Sequence, residues 1–150
     1  GIGGGFPLGA VLATENAASA MVAGSHGSTY GGNPLACAVG AAVMRIVADP
    51  AFLAEVNRKA GLLRQKLEGL VAAHPDVFEE VRGLGLMLGL KCKPAPAEGV
   101  KAGYAAEVVT VPAADNVVRL LPPLTISDEE IAEAVTRLDA AATALTHEMA

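Results

Sequence analysis

An arginine surrounded by apolar sequence neighbours is the first residue of this chain that asks for a chemical explanation. Arg119 stands in Val117-Val118-Arg119-Leu120-Leu121-Pro122-Pro123, a stretch otherwise wholly apolar. A guanidinium withdrawn from water without a partner is costly. Three arrangements relieve that cost: an Asp or Glu elsewhere in the fold, a solvent-facing edge, or a bidentate bond to the carboxylate of a ligand. The residues alone favour the first two over the third. A second candidate is His26-Gly27-Ser28-Thr29-Tyr30-Gly31-Gly32-Asn33-Pro34, which places two adjacent hydroxyls and several unobstructed amides before a helix. Hydroxyls and helix N-terminal amides suit a phosphate, while a plain capping loop is the simpler reading. The segment fits neither the P-loop nor the dinucleotide glycine pattern. The opening Gly1-Ile2-Gly3-Gly4-Gly5-Phe6-Pro7 either brings backbone amides close to an anion or a flat ring, or is a tight turn feeding a strand.

The remaining titratable residues read as structural. Arg82, in Val81-Arg82-Gly83-Leu84-Gly85, is expected between two strands with an acidic partner. His74 at a helix end and His147 near the C-terminus have no plausible catalytic neighbour in sequence. Glu79-Glu80 reads as a solvated turn and Asp128-Glu129-Glu130 as a helix start. Cys37, in an alanine-rich apolar run, and Cys92, after Lys91, lack any zinc-type spacing and read as buried or idle reduced thiols. No metal site is expected.

These residues need elements to position them. Leu8 to Ala13 reads as a short buried strand, Thr14 to Val22 as a short helix and Gly24 to Asn33 as a loop. Pro34 opens an alanine-rich helix over Leu35 to Ala48, suited to burial on most sides. Asp49-Pro50 caps and starts an amphipathic surface helix over Ala51 to Ala73. Val77 to Val81 and Gly85 to Leu90 read as strands around Arg82-Gly83. Lys93 to Gly103, with two prolines, reads as a loop holding at most a turn or two of helix. Val108 to Val111 and Asn116 to Leu121 read as two more strands, ended by Pro122-Pro123. Ser127 with Glu130 makes a capping box for a last helix through about Leu145, its stripe Ile131, Val135, Leu138 and Leu145 facing the sheet. The order gives an incomplete α/β piece, a long linking helix, and a small α+β unit with helices flanking a short sheet.

Bulk properties close off several classes. At 150 residues the chain holds one domain, or a small domain plus a piece of another. Hydrophobic residues make up 52% and charged residues 18%, which sets disorder aside. A net charge of −5 with scattered Lys and Arg argues against a nucleic-acid surface. Gly, Pro or charge breaks every apolar run before the roughly 18 residues a membrane span needs, so no transmembrane helix is expected. The N-terminus has no Met and no signal-peptide core, which points to the cytoplasm and to a start inside a longer protein.

Four segments together resemble the class III aminotransferases, pyridoxal-phosphate enzymes of fold type I, and most closely the acetylornithine branch. They are Gly3 to Ala10 (GGGFPLGA), His26 to Ala36 (HGSTYGGNPLA), Val81 to Gly89 (VRGLGLMLG) and Asn116 to Ile126 (NVVRLLPPLTI), in the family's order and at about its spacing. The resemblance implies that residues 1–48 are the C-terminal piece of a cofactor-binding large domain, and that 49–150 are a linking helix and small C-terminal domain. It implies that Ser28 and Thr29 reach the cofactor phosphate of a neighbouring subunit in a homodimer. It also implies that Arg119 clamps the α-carboxylate of an amino-acid or keto-acid substrate, whose fork geometry suits that task. In such enzymes the Schiff-base lysine directly precedes the glycine-rich opening, and none of Lys59, Lys66, Lys91, Lys93 or Lys101 has its context. The expectation is therefore a C-terminal fragment, inactive alone, of an enzyme passing an amino group from acetylornithine or ornithine to 2-oxoglutarate. Ornithine and 4-aminobutyrate aminotransferases share the same motifs. A non-catalytic folding or dimerisation module is the reading from another class. Lys93 to Ala106 departs from the family, which has a clearer helix there.

Overall fold

The computed structural model describes residues 1–149. The chain divides into two compact units, Gly1–Leu53 and Ala54–Ala150. The first unit holds α1 (Glu15–Ala18), α2 (Pro34–Val47) and the start of α3 (Pro50–Ala73). Thr14 caps α1 through its hydroxyl. The α2 helix begins where expected because Pro34 fits the first turn and the Asn33 carboxamide oxygen accepts from the Ala36 amide at 2.9 Å. Two expectations fail in this unit. Residues 8–13 form no strand, and Val11 and Leu12 are 92% and 95% exposed: an extended segment becomes a strand only beside another, and no described residue of this chain pairs with it. Only Ala36 and Gly40 of α2 are buried, so its apolar composition is not matched by burial on most sides, and Cys37 is exposed.

The second unit carries the hydrophobic core. After α3 come β1 (Phe78–Leu84), β2 (Met87–Cys92), α4 (Pro96–Ala105), β3 (Val111–Ala113), β4 (Val117–Leu120) and α5 (Asp128–Met149). The four strands form one antiparallel sheet in the order β1-β2-β4-β3. Leu88, Leu90, Val118 and Leu120 point from one face into a core with Leu63, Leu67 and Leu70 of α3 and Ile131, Leu138, Ala142 and Leu145 of α5. Leu67, Leu90 and Ile131 are fully buried, each stabilising the fold by about 1.5–3 kcal/mol. Helix α4 packs against α5, β3 and β4, and a methyl on its Gly99 would meet the core-facing side chain of Val118. The helices thus clad one face of the sheet.

The helix starts follow their sequence signals. Asp49 Oδ1 accepts from the amides of Ala51 and Phe52 at the head of α3. At α5, the Glu130 amide donates to Ser127 Oγ at 3.1 Å and the Ser127 amide to Glu130 Oε2 at 2.7 Å, the reciprocal capping box. The core stripe of α5 is as expected.

The strands differ from expectation in their limits. Arg82 and Gly83 lie inside β1, and the turn falls at Gly85-Leu86. Gly83 mimics a turn in sequence because it adopts φ +110° and a side chain there would collide with Met87 O. Glu79 and Glu80 are exposed strand residues rather than a turn. Strand β3 begins at Val111 and not at Val108, since Asp115 and Asn116, at φ 60° and 59°, set a left-handed hairpin turn that fixes the pairing. The stretch read as a loop holds the ten-residue helix α4, entered through Pro96 in its first turn. The Asn116 side-chain nitrogen donates to the carbonyls of Cys92, Lys93 and Pro94, tying the end of β2 to the hairpin.

Candidate active site

Arg119 sits in the middle of β4, paired in register with Gly89 of β2 and Val111 of β3. Its neighbours Val118 and Leu120 point into the core, so the alternation of a strand turns Arg119 to the face opposite α3, α4 and α5. No Asp or Glu in the described structure pairs with it, and its Nε is buried without a hydrogen-bond partner. Arg119 is half-buried, and of its guanidinium nitrogens only Nε is buried; of the three ways to relieve it, an acidic partner among the described residues is therefore not the one used, and a solvent-facing edge and a ligand carboxylate remain. An orphaned, buried donor on a fork of fixed geometry is suited to receive a carboxylate.

Gly89, its cross-strand partner, is packed against Val117. The residue is buried, and a methyl group there would stand 2.5 Å from Val117 Cγ1. Across Gly89, in the same row, lies Arg82 of β1. Arg82 is engaged as expected for a structural arginine: its Nε donates to Glu80 Oε1 at 2.6 Å and its Nη1 to Asp115. Lys91 also reaches Asp115 Oδ1, at 3.0 Å. The hydrogen bond from Arg82, followed by that from Lys91, holds the Asp115 carboxyl below its ordinary range. Leu84, Met87, Val111 and Leu121 are exposed around these charges. Sequence reasoning missed Gly89 and the Arg82–Asp115–Lys91 group as neighbours of Arg119, because only the strand register brings them together.

Ser28 and Thr29 lie in the first unit, on the exposed loop before α2. Ser28 Oγ accepts from the Gly31 amide at 3.0 Å, which leaves its own proton free to donate. Asn33 closes the loop, its Nδ2 donating to Tyr30 O while its Oδ1 caps α2. The loop is thus a capping loop with two hydroxyls presented outward, a donor set compatible with a phosphate. In the glycine-rich opening the Gly4 amide donates to Gly1 O at 3.0 Å and the Phe6 amide to Gly3 O at 2.9 Å. Those amides are spent on tight turns.

The other residues weighed in sequence fall outside these sites. His74 Nε2 lies 2.7 Å from Asp139 Oδ1, joining the end of α3 to α5. Cys92 is buried, which pushes its thiol up to about 11. A groove of about 350 Å³ between α4 and α5, lined by Glu98, Lys101, Ala141, Ala144 and Glu148 among others, contains none of the candidates. Among the described residues no single helix is long and apolar enough to cross a membrane.

The model of the family described as Aminotransferase class-III matches residues 1–142. An acetylornithine aminotransferase of Rhodobacter capsulatus is 72% identical over 145 residues, 97% of this chain and 37% of that protein. One from Mesorhizobium japonicum is 53% identical over 150 residues, all of this chain and 38% of the relative. The chain thus spans a little over a third of the length of these curated relatives. Among solved structures, the acetylornithine aminotransferase of Elizabethkingia anophelis superposes with a TM-score of 0.73 at 31% identity, covering 81% of this chain and 33% of that one. The ornithine aminotransferase of Toxoplasma gondii, whose structure shows partial occupancy of pyridoxal phosphate at its active site, gives 0.75 at 30% identity, covering 85% and 31%.

Proposed function

This chain belongs to the class-III aminotransferases, enzymes of fold type I, and from that premise we propose that it supplies the substrate-clamping part of an acetylornithine-type aminotransferase. The parent enzyme passes an amino group between acetylornithine or ornithine and 2-oxoglutarate. The observation that carries the reading is the buried, unpartnered Nε of Arg119 beside Gly89. The acetylornithine branch is preferred because the curated relatives from Rhodobacter capsulatus and Mesorhizobium japonicum, at 72% and 53% identity, bear that name; ornithine and 4-aminobutyrate are the alternatives. The division of labour proposed is residues 1–48 as the end of the cofactor-binding domain and 49–150 as linking helix and small domain. A break between compact units at Leu53 supports a boundary of this kind.

In this reading Arg119 binds the α-carboxylate of the amino acid or keto acid through two parallel N–H···O bonds and so fixes the orientation of the rest of the substrate. Ser28 and Thr29 donate their hydroxyl protons to the phosphate of a cofactor bound mainly by a second subunit, which makes a homodimer part of the site. The chemistry that pyridoxal phosphate supplies when bound is that of an electron sink. The proton-transferring lysine is assigned outside these residues. Lys91 is held by Asp115, Lys59 lies 3.8 Å from Glu55, and none of the five lysines has the family context. The 150-residue chain is accordingly proposed to be inactive alone.

The test is an absorbance titration of the chain with pyridoxal phosphate, alone and after addition of the N-terminal part that the relatives possess. Borohydride reduction and mass mapping follow. Bound-cofactor absorbance and transamination that need both parts support the reading, and stoichiometric labelling of this chain alone overturns it. In the completed enzyme, Arg119→Met is expected to lower kcat/KM for the carboxylate substrates by roughly 10- to 100-fold, the worth of a charge-assisted hydrogen bond. An unchanged value would remove Arg119 from the clamp.

A further inference from the structure

The exit from α4 is built like a glycine stop without the glycine. The Glu107 amide donates to Tyr104 O at 3.1 Å and the Val108 amide to Gly103 O at 2.9 Å. These are the paired bonds of a Schellman end, in which the residue after the cap turns left-handed. Ala106 is the cap and Glu107 the residue after it, at φ 58°, a conformation that glycine adopts freely and a residue with a Cβ adopts at a cost. Arg137 of α5 meets this turn: its Nη1 donates to Glu107 O at 2.8 Å and to Glu107 Oε2 at 3.1 Å. Its Nε and Nη2 both donate to Glu133 Oε1, one turn back along α5, so the guanidinium is aimed by its own helix. A strained residue persists where its surroundings hold it, and an exposed ion pair contributes little. Strain and hold are thus of the same scale. The turn leads into β3, which stands at one end of the four-stranded sheet and pairs with β4, Val111 opposite Arg119 and Ala113 opposite Val117. Helix α4 sits tightly on the connection, since a methyl on Gly103 would stand 3.0 Å from Val108 O and 3.5 Å from Thr110 Oγ1.

We propose that Arg137 is a positioning residue for Arg119: by holding Glu107 in its left-handed turn, it sets edge strand β3 against β4 and so fixes the strand that carries the clamp. This rests on the clamp reading of Arg119. Arg137 acts through the backbone of β3 and not by contact with the ligand. Without it the strain at Glu107 is relieved by loosening the turn, and β3 loosens with it.

The experiment uses the completed enzyme and five variants: Arg137→Met, Glu107→Gly, the two combined, Arg58→Met and Arg119→Met. Hydrogen exchange read by peptide mass spectrometry needs no activity. Arg137→Met is expected to speed exchange over residues 106–114 about fivefold, the scale of one exposed ion pair, with residues 63–70 of α3 unchanged. It raises KM for the keto acid by up to the same factor, with kcat unchanged. The double variant exchanges and binds as Glu107→Gly does, because glycine keeps the turn without help. Arg58→Met, which breaks the Arg58–Asp128 link between α3 and α5, leaves residues 106–114 and KM at the parent values. An Arg137→Met effect that persists in the double variant, or that spreads to residues 63–70, overturns the proposal. If Arg119→Met leaves KM unchanged, the clamp reading has failed. If it raises KM while Arg137→Met does not, only the positioning role has.

Discussion

At the scale of single residues, the site depends on one missing side chain as much as on one present. Gly89 is fixed by its surroundings: a methyl placed on it would stand 2.5 Å from Val117 Cγ1, with Val118 O at 3.5 Å. Overpacking of this kind costs about 1–3 kcal/mol. Gly89→Ala is therefore expected to lower the unfolding free energy of the chain by an amount in that range, read from chemical denaturation followed by circular dichroism, and an unchanged value would show that β4 shifts freely. Arg119 was legible in the sequence as a charge in an apolar strand, since composition alone exposes that conflict. Its freedom from a partner was not, because Glu80 and Asp115 lie thirty-nine and four residues away in sequence and only the register decides whether they reach it. Ser28 and Thr29 stood out by their types and adjacency, and the structure adds that the Ser28 oxygen already accepts from Gly31.

At the scale of elements, what could be read from sequence was whatever local chemistry settles. The starts of α2, α3 and α5 follow from Asn33-Pro34, Asp49-Pro50 and the Ser127/Glu130 box, each a short-range hydrogen bond written in a few residues. Removing the Ser127 hydroxyl by Ser127→Ala leaves the Glu130 amide without its cap. The expected loss is about 1 kcal/mol, checked by thermal unfolding at neutral pH, with Thr at the same position restoring most of it. What could not be read depended on distant partners. Residues 8–13 have a strand's composition and no neighbouring strand. The limits of β1 and β3 are set by pairing, which the left-handed residues Gly83, Asp115 and Asn116 direct. Helix α4 was hidden by Pro94, Pro96 and Gly99, of which only Pro96 lies in its first turn, where proline is tolerated.

At the scale of the whole chain, burial is unequal. The leucine-rich core belongs to the second unit, while the first leaves Val11, Leu12, Met21 and Val22 largely exposed. Amide hydrogen exchange is expected to be slowest in β2, β4 and the core-facing turns of α3 and α5, and fast from residue 8 to residue 31. Comparable protection in both regions would contradict this distribution. Acid should act on the second unit through its ion pairs. Hydrogen bonds from Arg82 lower the carboxyl of Asp115, and those from Arg58 lower Asp128 and Glu55. A folded carboxyl below its unfolded value stabilises the fold above the ordinary range, near pH 4, and loses that contribution as pH falls through the lowered value. The denaturation midpoint is thus expected to be level from pH 7 to about pH 5 and to fall between about pH 4 and pH 2. The drop is modest because these groups are exposed, and a midpoint that rises in acid would contradict it. The sheet clad on one side also has an evolutionary consequence. Along β2 and β4, even-numbered positions such as Leu88, Leu90, Val118 and Leu120 can drift only by exchanges that conserve volume, whereas Met87, Lys91 and Val117 answer to whatever the bare face meets. Tolerance to substitution should alternate residue by residue, so that two histories of selection are interleaved along the same strands.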